Sequence, residues 1–259
     1  SAVTVSPAST TICVGGSQAL TASGGNVPLN GTFTASSGAI NLAIPDNIST
    51  GVNNAIAVSG VPGGATIDSV IVTYNITHAF AADVEVNLAA PNGQIVNLMA
   101  DRGSTSALGF VNTRVSSVAT ATAFSSGSAP FTGTFKFDGT AQGSLIGSPA
   151  VTTSAFSSLF SVINGNWTIR AYDDANGDLG TLSNWSIKIV YSGTQQAAIT
   201  WSPATGLSGT TGASVTASPT ATTTYTATAT LNGCTSDGSA TVSIGTATIT
   251  ASAGTGGSI

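Results

Sequence analysis

Charge is what this chain has least of. Its 259 residues include five Lys/Arg, ten Asp/Glu and one His. At 6% charged residues, against about 25% in an ordinary soluble domain, the surface must be neutral and rich in hydroxyls rather than laced with ion pairs. Five bases cannot form the basic stripe that nucleic-acid binding requires, and the net charge of −5 points the same way. Long apolar runs are also missing. Hydrophobic residues make up 41% of the chain, but they are interleaved with Ser, Thr, Gly and Asn. Nothing approaches the ~18–20 consecutive apolar residues of a membrane-spanning helix. A basic-plus-apolar leader is absent and the first residue is Ser1, so the expectation is a processed, secreted chain. Cysteine is limited to Cys13 and Cys234. The pair fits an oxidising compartment, and it fits two reduced thiols as well.

Helical periodicity is nearly absent, and alternating β-branched runs fill the chain. "SVIVTYNITH", "DVEVNLAAP", "GNWTIRAYDD", "NWSIKIVYSG" and "TTTYTATATLNG" all have period two, and Gly, Pro, Asn and Asp punctuate them. The pattern predicts an all-β fold, a sandwich or jelly roll. One short helix is expected at "SAFSSLFSVI", residues 154–163.

Charge also divides the chain. All five bases lie between Arg102 and Lys188, and every acid but Asp237 lies between Asp46 and Asp178. The uncharged ends read as two parts of one small sandwich. Residues 1–26 supply two strands and residues 194–245 the rest, around an inserted jelly roll at 27–193. Residues 246–259 form a terminal strand and tail. Neither end alone could bury a stable core, whereas together they reach ordinary domain size. A Cys13–Cys234 bridge would then tie the halves together, contributing roughly 5 kcal/mol at most in the chain-entropy picture.

Several segments in the middle carry a resemblance: "IPDN" at 44–47, "VSGVPGGATIDSVIVTYNITHAFAADVEVNLAAPNGQIVNLM" at 58–99, and "GNWTIRAYDDANGDLGTLSNWSIKIVY" at 165–191. In that order they resemble the P domain of subtilisin-like proprotein convertases, a jelly roll. The flanks, above all "WSPATGLSGTTGASVTASPTATTTYT", resemble immunoglobulin-like repeats of secreted Bacteroidetes surface proteins. The first resemblance implies an accessory module beside a protease, and a calcium site in some members. The second implies an exported, adhesive or enzymatic surface protein. Asp68-Ser69-Val70 resembles the short O-glycosylation signal of that group, which would make Ser69 the acceptor, although a plain strand start explains it better.

A serine-protease triad needs a histidine beside a nucleophile and a carboxylate. His78 is the sole histidine and lies where the P-domain pattern places a structural one, so no catalytic residue is expected. Asp83 and Glu85 are two apart, which on a strand would put both on one face, as paired glycosidase carboxyls require; a solvated strand edge explains them better. The acid-rich "YDDANGD" offers Asp174, Asn176 and Asp178 at alternate positions. That spacing suits calcium, which takes several oxygens from one tight turn. Asp173, Asp83 and Asp101 are the expected additional ligands. The competing reading is an Asx-type turn with Gly177 at positive φ. Alternating threonines in "TATTTYTATAT" could suggest an ice-binding face, but one strand makes no array.

"TATITA" at 246–251 is a competent strand. Donated to a neighbouring copy's sheet, it would build head-to-tail filaments. The leading expectation is therefore a secreted, non-catalytic subunit of an extracellular filament or surface layer. It would self-associate and present a carbohydrate or protein adhesion surface. The alternative is the accessory P-domain-like module of a secreted hydrolase.

Overall fold

The computed structural model describes residues 1–103, 109–118, 121–139 and 151–246. Its strands, in chain order, are β1 (Thr4–Ser6), β2 (Ser9–Cys13), β3 (Gln18–Ser23), β4 (Val27–Ser36), β5 (Leu42–Ile44) and β6 (Val52–Val58). There follow β7 (Ala65–His78), β8 (Val84–Ala89), β9 (Ile95–Ala100), β10 (Phe110–Ser116), β11 (Thr122–Ala123) and β12 (Phe131–Lys136). The last six are β13 (Gly165–Asp173), β14 (Gly180–Gln195), β15 (Ala198–Ser202), β16 (Ser214–Ala217), β17 (Thr223–Leu231) and β18 (Cys234–Gly245). The fold is all-β. The expected helix is a short 3-10 segment at Phe156–Ser161, and a single 3-10 turn at Ala81–Asp83 precedes β8.

The chain divides into two compact units. One joins residues 1–27 with 194–259, and the other is 28–193. In the larger unit a seven-stranded sheet, β11-β12-β10-β7-β14-β4 with β5 also on β14, faces a four-stranded sheet, β6-β13-β8-β9. Their inner faces share one core, centred on Trp167, Trp185, Tyr74 and a group of stacked phenylalanines. The indole N–H groups are satisfied: Trp185 donates to Asn54 Oδ1 at 2.8 Å and Trp167 to the Ile163 carbonyl at 2.9 Å, as buried tryptophan requires.

Alternation along β7 and β14 is broken on purpose. Ile67 and Val70 both face the core although three residues apart, and the ladder shifts register opposite them, between Val190 and Tyr191. A second shift lies between Leu182 and Asn184. Each bulge returns the next apolar residue to the inner face and sharpens the local twist. The Ser37 N–H donates to the Trp185 carbonyl, and Gly31 lies so close to the Tyr191 ring that a Cβ there would meet the phenol oxygen at 2.3 Å. β4 and β14 are neighbours in the sheet, so the two ends of residues 28–193 emerge from adjacent strands.

The smaller unit pairs a three-stranded sheet, β1-β3-β16, with a four-stranded one, β15-β17-β18-β2. Residues 1–27 supply three short strands rather than two. β2 runs parallel to the end of β18, with Cys13 opposite Gly245. β17 and β18 close on Asn232-Gly233, both at positive φ (50° and 81°), the requirement of a two-residue hairpin that follows the strand twist. The core is small: Leu20, Trp201, Tyr225, Val242 and several alanines.

This register corrects the expected disulfide. Cys234 starts β18 beside Leu231, while Cys13 stands at the level of Gly245, at the far end of the same strand. At about 3.3 Å per residue that is a separation of roughly 35 Å, whereas a bridge needs Cα atoms within about 7 Å. Both cysteines are free and exposed. Of the terminal strand expected at 246–251, residues 247–251 lie outside the described residues.

Candidate metal centre

One end of the larger unit gathers most of the chain's acids. The end of β13 brings Asp173 and the following loop brings Asp174, Asn176 and Asp178. β8 brings Glu85, the 3-10 turn brings Asp83, and the residue after β9 is Asp101, held at φ 48°. Arg102 anchors that last turn by donating to both Asp138 oxygens, at 2.9 and 3.2 Å. Asp138 also accepts from the Ala100 N–H at 3.2 Å.

Asp173 and Asp174 face opposite ways. Trp167, Ile169, Ala171 and Asp173 share the buried face of β13 by period two. Asp173 therefore enters the interior, where its Oδ2 lies 3.0 Å from His78 Nε2 and its Oδ1 accepts from the Ala175 N–H at 2.9 Å. His78 Nδ1 lies 2.6 Å from the Phe80 carbonyl, a distance that requires the ring to donate. Both imidazole nitrogens are thus committed to fixed partners within the fold. Burial raises the Asp173 carboxyl above its ordinary pKa, opposed by the Ala175 N–H and by His78. The pair is a structural clamp between the ends of β7 and β13.

The expected turn "DANGD" is held by a second loop. Asn47 Nδ2 donates to Asn176 Oδ1 at 3.0 Å, and the Gly177 N–H donates to Asp46 Oδ1 at 3.0 Å. Gly177, at φ 117°, takes the conformation the turn reading required. Asp174 instead belongs to a different group. Oxygens of Glu85, Asp101 and Asp174 lie within 4.8 Å of one another. Of the six expected ligands, only Asp101 and Asp174 enter this group; Asp83, Asp173, Asn176 and Asp178 stand around it.

Glu85 is a correction to the sequence reading. It does not share a strand face with Asp83, which ends the 3-10 turn, and it is no solvated edge residue, being 1% exposed. Its Oε2 accepts from the Tyr172 hydroxyl, while Oε1 is buried without a partner among the described residues. Burial, then Asp101 and Asp174, push the Glu85 carboxyl up to about 8, with Arg170 opposing. Desolvation, then Asp174, raises Asp101 to about 6. Glu85 and Asp101 therefore retain protons that a divalent cation would displace. The donor set is all oxygen, one buried oxygen has no partner, and hard cations such as calcium suit it. Ser69 lies half-buried in β7, paired with Val190.

Among the described residues no helix is long and apolar enough to cross a membrane. Residues 67–128 match the proprotein convertase P-domain family. The chain is 28% identical over 144 residues to leupeptin-inactivating enzyme 1 of Streptomyces exfoliatus, covering 56% of this chain and 23% of that enzyme. A serine protease of Aeromonas sobria aligns at 15% identity with a TM-score of 0.35, over 64% of this chain and 27% of the protease. The chain thus spans about a quarter of the length of these relatives.

Proposed function

We propose that this chain is a non-catalytic, P-domain-like accessory module of an extracellular hydrolase, and that Glu85, Asp101 and Asp174 bind a calcium ion that stiffens its acidic end. The observation that carries the module reading is the match of residues 67–128 to the P-domain family, within a similarity that takes up a minor share of a much longer enzyme. The clamped His78 supports it, since its two nitrogens are occupied by structural bonds. The filament reading rested on a donated strand at 246–251, and the relatives favour the module over it.

In the calcium reading, Glu85 would hold the ion from the buried side, with Asp101 and Asp174 from the loop side. Calcium supplies charge neutralisation there and no chemical step. Glu85 orients through the Tyr172 hydroxyl, and Asp101 is fixed by its neighbour Arg102 on Asp138.

Two measurements test these readings separately. Incubated with casein and small peptides, the purified chain should show no hydrolysis. Turnover that disappears in His78→Ala would overturn the module reading. Calorimetry with calcium against EDTA should show a higher Tm in calcium and a larger gain at pH 8 than at pH 6, because binding releases protons. An equal calcium response in Glu85→Gln would remove the metal from this site.

A further inference from the structure

The outer face of the four-stranded sheet carries a second site, which adjoins the acidic group through Tyr172 and Glu85 but does not depend on the module reading. Asn53, Arg170, Asn87 and Asn97 stand directly opposite one another across β6, β13, β8 and β9. They form one polar row across the whole sheet. Two residues further along, about 7 Å away, the next row contains Ala55, Thr168, Ala89 and Ile95. A cavity of about 280 Å³ spans the two rows, lined by Asn53, Asn87, Ala89, Ile95, Thr168 and Arg170. It lies just below the range of about 300–1,000 Å³ for drug-sized ligands, so it takes one small unit.

The polar row is only half satisfied from within. Arg170 Nε donates to the Thr50 carbonyl at 3.0 Å and Nη2 to the Ser49 carbonyl. The guanidinium also lies 4.8 Å from the Tyr172 ring centroid. These contacts fix the group, yet Nη1 is buried without a partner among the described residues. Asn87 Nδ2 donates to Asn97 Oδ1 at 2.6 Å, which orients the amide and leaves Asn87 Oδ1 buried and, among the described residues, unpartnered. Arg170 is 7% exposed and Asn87 3%. The site therefore offers one fixed donor and one fixed acceptor beside a small apolar floor. Such groups are costly to leave unpaired.

A ligand that fits must both accept and donate within one compact unit and present an apolar face. A carboxylate or phosphate only accepts, and it would set a negative oxygen against Asn87 Oδ1. A pyranose ring meets every demand. Its hydroxyls accept from Arg170 and donate to Asn87, and its C–H face rests on Ala89 and Ile95. We infer that this face of the sheet binds one neutral pyranose unit of a glycan.

The test is an NMR titration of the whole chain with methyl glucoside, galactoside, mannoside and N-acetylglucosaminide, and with acetamide and acetate as controls. At least one glycoside should saturably shift the Asn53 and Asn87 side-chain amides and the Arg170 Nε–H. The Kd should fall in roughly the millimolar range expected of a single small unit. Ala89→Leu, which fills the cavity, should weaken binding at least about tenfold at an unchanged Tm. If that variant misfolds, Asn53→Ala, at an exposed position, should weaken it while leaving the fold intact. No saturable shift with any glycoside, shifts that survive both variants, or acetamide acting as strongly as the sugars would each overturn the inference. The last outcome would assign the site to a protein side-chain amide.

Discussion

The two units of this chain solve the same folding problem with different materials. The smaller has one charged side chain, Asp237, and builds its core from a single Trp, a single Tyr and small aliphatics. The larger holds all five bases and the remaining acids, two tryptophans and all nine phenylalanines. The smaller unit is hydrogen-bonded, hydroxyl-covered scaffolding whose strands come from both ends of the chain. The larger has enough core to keep Glu85, Asp173, Arg170 and Asn87 out of water. Burying polar groups is expensive, so a region that buries four such side chains must have apolar packing to spare. Chemistry collects where the core is largest.

That contrast can be broken most completely by cutting it. Residues 28–193 expressed alone should fold cooperatively, because their core is internal and their ends emerge from adjacent strands. In a chain ending at residue 193, residues 1–27 should be disordered, since β3 and β2 lose their partners β16 and β18. Amide exchange by NMR would show it; protected amides within 1–27 of that truncated chain would contradict the division. Next in size, Trp167→Ala should cost about 3–5 kcal/mol in chemical denaturation of the larger unit. The clamp is of comparable weight. Asp173→Ala should cost roughly 3–5 kcal/mol by leaving a buried imidazole unpaired, and Asp173→Asn should recover part of it.

The acidic end should reveal itself through pH. In EDTA, folded Glu85 keeps its proton up to about pH 8 and Asp101 up to about 6, whereas both release theirs near 4 when unfolded. The folded state therefore binds more protons across that window, and stability must fall as pH rises from about 4.5 to 8. Glu85→Gln should flatten the slope; an unchanged slope would mean that other groups set it. The smallest effect belongs to the smaller unit. Asp237→Asn should change stability by no more than about 0.5 kcal/mol, and a larger loss would mean its charge is structural.

Period-two alternation in β7, β13 and β17 was enough to read the all-β class from the residues, and the charge distribution marked where the chain changes character. The same alternation, carried from Trp167 to Asp173, could have told Asp173 from Asp174. Glu85 gave no such signal: Val84 through Leu88 is buried on both faces, so an acid in that run looks like an edge residue until the cover is seen. Its group joins β8, the end of β9 and the loop after β13, and no spacing along the chain encodes that meeting. The cysteines misled for a related reason. Each sits in a different part of the split unit, but only strand register reveals that they occupy opposite ends of one ladder. Arg170 and Asn87 are ordinary strand residues in isolation, and only pairing across the sheet aligns them.

The parallel pairing of β2 with the end of β18 has a mechanical consequence. A pull applied between the two ends of the described chain loads that ladder directly after β1, which pairs with β3. Because the strands run in the same direction, the five paired positions from Ser9–Thr241 to Cys13–Gly245 are loaded in shear and resist together rather than unzipping singly. Residues 28–193 leave and rejoin the chain inside that closure, so tension bypasses them until the closure fails. The scaffold unit would act as a strain relief that keeps the acidic end and the polar sheet face undistorted under load.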